Sequence, residues 1–127
     1  MKVFEDYAEE IWRFFRDVKG LPLDPRPKVT ADLEPRGPYD PFAPTGHYDF
    51  MDDEITVYAA GRQLKDVLRT YAHELVHASQ YRRDPDGYAA FDRSGTIASN
   101  RELREYEREA YELGNLYFRE WTETYTE

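Results

Sequence analysis

Proline placement sets the outline of this chain. Seven of its eight prolines fall between residues 20 and 46, and the eighth is Pro85. Proline removes a backbone donor and clashes with the preceding helical turn, so no long helix can cross residues 20–46. Helices are therefore confined to either side of that stretch. Before it, Val3, Phe4, Tyr7, Ala8, Ile11, Phe14, Phe15 and Val18 recur at helical spacing over residues 3–18. Gly20 and then Pro22 stop that helix. Inside the stretch, Val29, Ala31 and Leu33 alternate with Lys28, Thr30 and Asp32, the period of a half-buried strand. Residues 35–44 read as an irregular surface loop. The segments 47–51 and 55–59 are short and β-branched or aromatic, and Asp52-Asp53-Glu54 joins them in a predicted hairpin.

Gly61 ends the hairpin, and helical spacing returns from Arg62 to about Arg83, with Leu64, Val67, Leu68, Tyr71, Ala72, Leu75 and Val76 forming an apolar arc. Asp84-Pro85-Asp86-Gly87 has the composition of a turn, and residues 88–98 are weakly patterned and read as loop. Ser99 or Asn100 can cap a last helix running to about Thr124. The expected fold is α+β in a single compact domain over residues 1–127. It has an N-terminal helix, a small three-stranded and mainly antiparallel sheet, a central helix and a glutamate-rich C-terminal helix.

Composition narrows the function. Seventeen basic against twenty-six acidic residues leave a net charge of −9, which repels phosphate backbones and anionic membranes, so neither nucleic acid nor membrane is an expected partner. Without cysteine there is no disulfide framework, thiol chemistry or Cys-ligated zinc. No signal peptide or membrane span is visible, so a cytoplasmic monomer is the expectation.

Two of the three histidines stand four apart in His73-Glu74-Leu75-Val76-His77, within the predicted central helix. Four residues are about 400° of helix, so both imidazoles leave one face a turn apart and can converge on one Zn²⁺. Glu74, about 100° round from His73, can reach a metal-bound water without ligating the metal. With Leu64 at zero, the apolar arc runs from about 300° to about 120°, while His73 and His77 fall near about 180° and 220°. Core histidines would lie inside that arc.

A catalytic zinc site needs a third protein ligand and an open position. No histidine follows His77, so that ligand is a carboxylate or His47. In the last helix, Leu103, Tyr106, Ala110, Leu113 and Tyr117 define an apolar stripe. Glu109 and Glu107 each lie about 80° from its centre on opposite flanks, with Glu102 behind them, whereas Glu112 at about 140° points to water. Helical geometry leaves both Glu107 and Glu109 open.

The His-Glu-x-x-His helix followed by a glutamate on a later helix resembles the gluzincin metallopeptidases, most closely the short members called minigluzincins. The resemblance runs from about Val29 to the last helix. It includes Ile55-Thr56-Val57-Tyr58-Ala59-Ala60-Gly61, which is similar to the family's strand and turn before the zinc helix. In the family the ligand glutamate is followed directly by a small residue. Ala110 follows Glu109, so the resemblance implies Zn²⁺ held by His73, His77 and Glu109, with Glu74 as catalytic base. It also implies that the strand around Tyr48, Asp49 and Phe50 pairs with an extended peptide substrate. Leu113 stands where the family often places an acid that orients a zinc histidine, which leaves that role to Glu112 or a backbone carbonyl. Tyr88, Tyr111 and Arg93 are candidate oxyanion donors. The implied activity is that of a zinc metalloendopeptidase, a hydrolase acting on peptide or protein. A latent, self-inhibited form and a non-catalytic partner-binding domain with an incidental metal site are the alternatives.

Overall fold

A computed structural model describes residues 3–34, 45–94 and 101–125, with the side chains of 91–94, 101–104 and 125 excepted. The predicted loop 35–44 and the capping residues Ser99 and Asn100 lie outside the described residues. The order is α1 (Phe4–Arg13), a π-helical turn (Phe14–Val18), β1 (Lys28–Asp32), β2 (Gly46–Asp49), β3 (Glu54–Tyr58), α2 (Leu64–Arg83), α3 (Pro85–Ser94) and α4 (Arg101–Tyr125). The α+β architecture with helices at both ends is as expected from the sequence.

Helix α2 is the centre of the molecule. Val67, Leu68, Thr70, Tyr71, Ala72 and every residue from Glu74 to Gln80 are buried, because α1, the sheet and α4 all pack on it. Helix α1 buries Ala8 and Ile11, and Phe15 follows in the π-helical turn. Phe4 meets Tyr71 of α2 edge-on at 5.9 Å, and Phe15 meets Tyr117 of α4 at 5.7 Å. The apolar stripe of α1 thus lies across α2 and α4. Trp12 closes the turn after α1 by donating its indole N–H to the Leu23 carbonyl at 2.7 Å. Among the described residues, no helix is long and apolar enough to cross a membrane.

The sheet has the order β1-β3-β2 and is mixed, not mainly antiparallel. The hairpin pairs β2 antiparallel to β3, with Tyr48 opposite Ile55, while β1 runs parallel to β3, with Val29 opposite Ile55. β1 and β2 are consecutive in the chain yet lie on opposite edges, with β3 between them. That outer edge of β2 faces away from the sheet.

The second departure is α3, where a turn and a loop were expected. Asp84 accepts the Gly87 N–H on its side chain at 3.2 Å, and Pro85 occupies the first helical position. Asp-Pro-Asp-Gly is thus a helix start here, since an N-cap acid and a first-turn proline are shared by turns and helix N-termini.

Candidate metal centre and cleft

His73 and His77 leave α2 on the side covered by α4, their rings 4.8 Å apart. Helix α4 runs antiparallel to α2 and approaches it through small residues. A side-chain carbon on Gly114 would lie 3.1 Å from the His73 Cα, so the two backbones nearly touch there. Ala110, one turn earlier, is fully buried. The contact seam of α4 is Glu107, Ala110, Gly114, Phe118 and Trp121, at three- and four-residue steps.

That seam brings Glu107, not Glu109, to the histidines. One Glu107 carboxylate oxygen lies 2.7 Å from His77 Nε2 and 3.4 Å from His73 Nε2. The stripe drawn from large apolar residues overlooked Gly114, whose lack of a side chain rotates α4 toward Glu107. Leu113 and Tyr117 are only half-buried, and Tyr111 and Leu116 are exposed. Glu109 lies outside the cluster. It accepts from Gln80 Nε2 at 3.0 Å and pairs with Arg83 on the flank of the helix pair. The side chain of Glu102 lies outside the described residues.

Among the described residues, His73, His77 and Glu107 place one nitrogen or oxygen each within 4.8 Å of one another, a group able to hold a metal ion. Around a tetrahedral metal with bonds of about 2.0–2.1 Å, donor atoms stand about 3.3 Å apart. The 3.4 Å separation fits, and the 2.7 Å one requires Glu107 to withdraw by a fraction of an ångström. The hydrogen bonds to His73 and His77 hold the Glu107 carboxyl well below the usual carboxylate range, against its partial burial. Burial pushes His77 down, but the Glu107 hydrogen bond and the Glu74 charge outweigh it and leave its pKa raised. These groups share protons where they could share a cation.

Gln80 is the residue the sequence reading missed. It is 1% exposed, three positions after His77 and on the same helix face. Its amide nitrogen donates to the Tyr106 carbonyl at 2.8 Å and to Glu109 at 3.0 Å. Its oxygen must then face His77 Nδ1, 2.8 Å away, which makes that nitrogen the donor and leaves Nε2 as the metal-facing atom. Glu112 does not fill this role, because it pairs with Arg108 at 2.9 Å on the exposed face. Glu109, expected as a ligand, instead braces the glutamine behind one. The only sequence signal was a polar residue at helical spacing on the motif face.

The histidines and Glu107 open onto a cleft of about 530 Å³ lined also by Thr45, Gly46, Tyr48, Glu74 and Tyr111. Glu74 is 6% exposed, and its carboxyl is raised by burial, against the pull of His77 and His73. Strand β2 closes the cleft, with Gly46 so near α2 that a side-chain carbon there would sit 2.6 Å from Thr70 Cγ2 and 3.3 Å from Glu74 Cγ. His47 is exposed on the cleft wall and does not join the metal group. Arg62 fastens this corner, donating to the Thr45 and Tyr58 carbonyls, to the Asp66 carbonyl and to Thr70 Oγ1.

The residues expected to bind substrate are mostly engaged in the fold. Tyr48 is buried and donates to Asp53 at 2.7 Å, Phe50 packs on Tyr81 at 5.2 Å, and Asp49 accepts the Met51 N–H at 2.9 Å. Of the three, only Tyr48 lines the cleft. What β2 offers is its main-chain edge. Of the oxyanion candidates, Tyr88 is buried among aromatic rings 5.8 Å from the His77 ring, and the side chain of Arg93 lies outside the described residues. Tyr111 lies with its ring 4.4 Å from His73, its hydroxyl raised by burial and then by the charges of Glu107 and Glu74. No protein-family model, curated protein or solved structure matches this chain.

Proposed function

We propose that this protein is a small zinc metalloendopeptidase of the gluzincin kind, with His73, His77 and Glu107 as its metal ligands. The observation that carries the reading is the convergence of those three side chains beside Glu74, on a cleft bounded by a strand edge that is unpaired among the described residues. Two imidazoles and one carboxylate suit Zn²⁺, which when bound would activate water and polarise a substrate carbonyl.

The protein's own groups supply the rest. Glu74 does not join the metal group, but it stands on the cleft wall one position from His73. It takes the proton of the attacking water and passes it to the departing amine. Burial makes its carboxylate a stronger base than one in water, which suits proton transfer near neutral pH. The β2 edge offers N–H and C=O groups to an extended peptide and so aligns the scissile bond. The Tyr111 phenol, on the α4 side of the cleft, donates to the oxygen that gains charge.

Hydrolysis of an unfolded protein substrate by zinc-supplemented enzyme tests the proposal. Wild type is expected to cleave, and Glu74→Gln to keep the metal and the fold while losing cleavage. Undiminished cleavage by Glu74→Gln would refute the assignment of the base.

A further inference from the structure

A second groove continues the catalytic cleft at the end where β2 begins. It has a volume of about 570 Å³, lies between the first half of α2 and the last half of α4, and is lined by Lys65, Arg69, Asn115, Phe118, Arg119 and Thr122. Arg69 and Asn115 belong to both walls, so groove and cleft are continuous. Three cations and no acid line it, in a chain of net charge −9. Its floor is apolar, because Phe118 is buried and Arg69 lies over its ring at 5.6 Å.

The cations are open to a ligand. Lys65 has no ion-pair partner among the described residues. Arg69 pairs with Asp66 and Arg119 with Glu123, each at 3.3 Å and with all four side chains about half exposed or more. Such pairs contribute little and are readily exchanged. Each guanidinium also keeps donors that its present partner does not use.

Strand direction says which part of a peptide arrives there. β2 runs from Gly46, against Thr70 and Glu74, toward Tyr48, against Tyr81 and Tyr88. A peptide added antiparallel to β2, the more stable pairing, runs the opposite way and leads its C-terminal half past His73 toward Arg69.

We infer that this groove is a carboxylate subsite selecting substrates with an acidic side chain, or a free C-terminus, on the C-terminal side of the scissile bond. The inference rests on the peptidase reading and adds the class of substrate. The carboxylate sits among Lys65, Arg69 and Arg119. Because the protein as a whole repels anions, a preference for acidic peptides can come only from such a local site.

The test is fluorescence anisotropy with zinc-supplemented Glu74→Gln protein and labelled ten-residue peptides. These carry either Glu or Gln at two positions beyond their centre, each with a free or an amidated C-terminus. An acidic or free-ended peptide is expected to bind about five- to tenfold tighter than its neutral counterpart, the scale of two or three exposed ion pairs. In Lys65→Gln/Arg119→Gln that preference is expected to vanish, with binding of the neutral peptide unchanged. Sensitivity to Glu→Gln identifies a side-chain carboxylate, and sensitivity to amidation alone identifies the C-terminus. Equal binding of all four peptides, or a preference that survives the double substitution, would overturn the subsite and leave the peptide cleft standing. Binding of none would overturn the peptidase reading with it.

Discussion

Gln80→Leu separates bracing a ligand from being one. Leucine is close to glutamine in volume but neither accepts from His77 Nδ1 nor donates to the Tyr106 carbonyl and Glu109. Three contacts of 2.8, 2.8 and 3.0 Å are lost in a position that is 1% exposed. Removal of an outer partner of a metal-bound histidine costs about 10- to 100-fold in metal affinity, or about 1.4–2.7 kcal/mol. Loss of the Gln80 acceptor from the buried His77 Nδ1–H costs a further ~1–3 kcal/mol of fold stability. Gln80→Glu distinguishes the two effects, because it keeps the acceptor for His77 while losing the donors and setting a charge against Glu109. It is expected to retain zinc affinity while lowering the melting temperature of the metal-free protein. Competition titration against a chromophoric chelator reads the first quantity, and thermal melts read the second. If Gln80→Leu binds zinc as wild type does, the tautomer argument is wrong.

Three further outcomes are expected. The His77–Glu107 pair makes stability of the metal-free protein pH-dependent. The raised His77 contributes below its unfolded pKa of about 6.5 and loses that contribution as pH rises through its folded value. The lowered Glu107 contributes above about 4.3 and loses that contribution as pH falls through its folded value. Chemical melts of wild type against Glu107→Gln should therefore differ most between about pH 4.3 and 6.5, and a difference that grows above that window would reverse the sign. Gly114→Val should separate α4 from α2 at His73, lowering zinc affinity and the melting temperature together, whereas unchanged values would mean that the seam yields freely. Tyr111→Phe should lower the rate of peptide cleavage about 10-fold or more with zinc content unchanged, and an unaltered rate would remove the phenol from the reaction.

The parts of the fold that were legible in the sequence were those with a strong period or a strong exclusion. Proline spacing confined the helices, and the 3.6-residue pattern placed α1, α2 and α4 within a few residues of their observed ends. The parallel pairing of β1 was hidden, because strand patterns carry no direction and the connection to β2 is long. Helix α3 was hidden by the shared chemistry of turns and helix starts. At the site, His73, Glu74 and His77 were legible because four-residue spacing converts directly into one helix face. The third member was not, because helix rotation was inferred from large apolar residues. Gly114, with no side chain to register hydrophobicity, decides how closely α4 approaches α2. Helical geometry left Glu107 and Glu109 balanced, and the family resemblance pointed to Glu109 through Ala110, whereas Ala110 lies on the seam beside Glu107.

Metal content of purified protein tests the centre of this account most directly. Elemental analysis of zinc-equilibrated, desalted samples is expected to give about one equivalent of zinc for wild type and for Glu109→Ala. His73→Ala, His77→Ala and Glu107→Ala are expected to retain almost none. Equal zinc in all five proteins would contradict the metal centre, and loss from Glu109→Ala with retention by Glu107→Ala would contradict the placement of α4 on which the site is built.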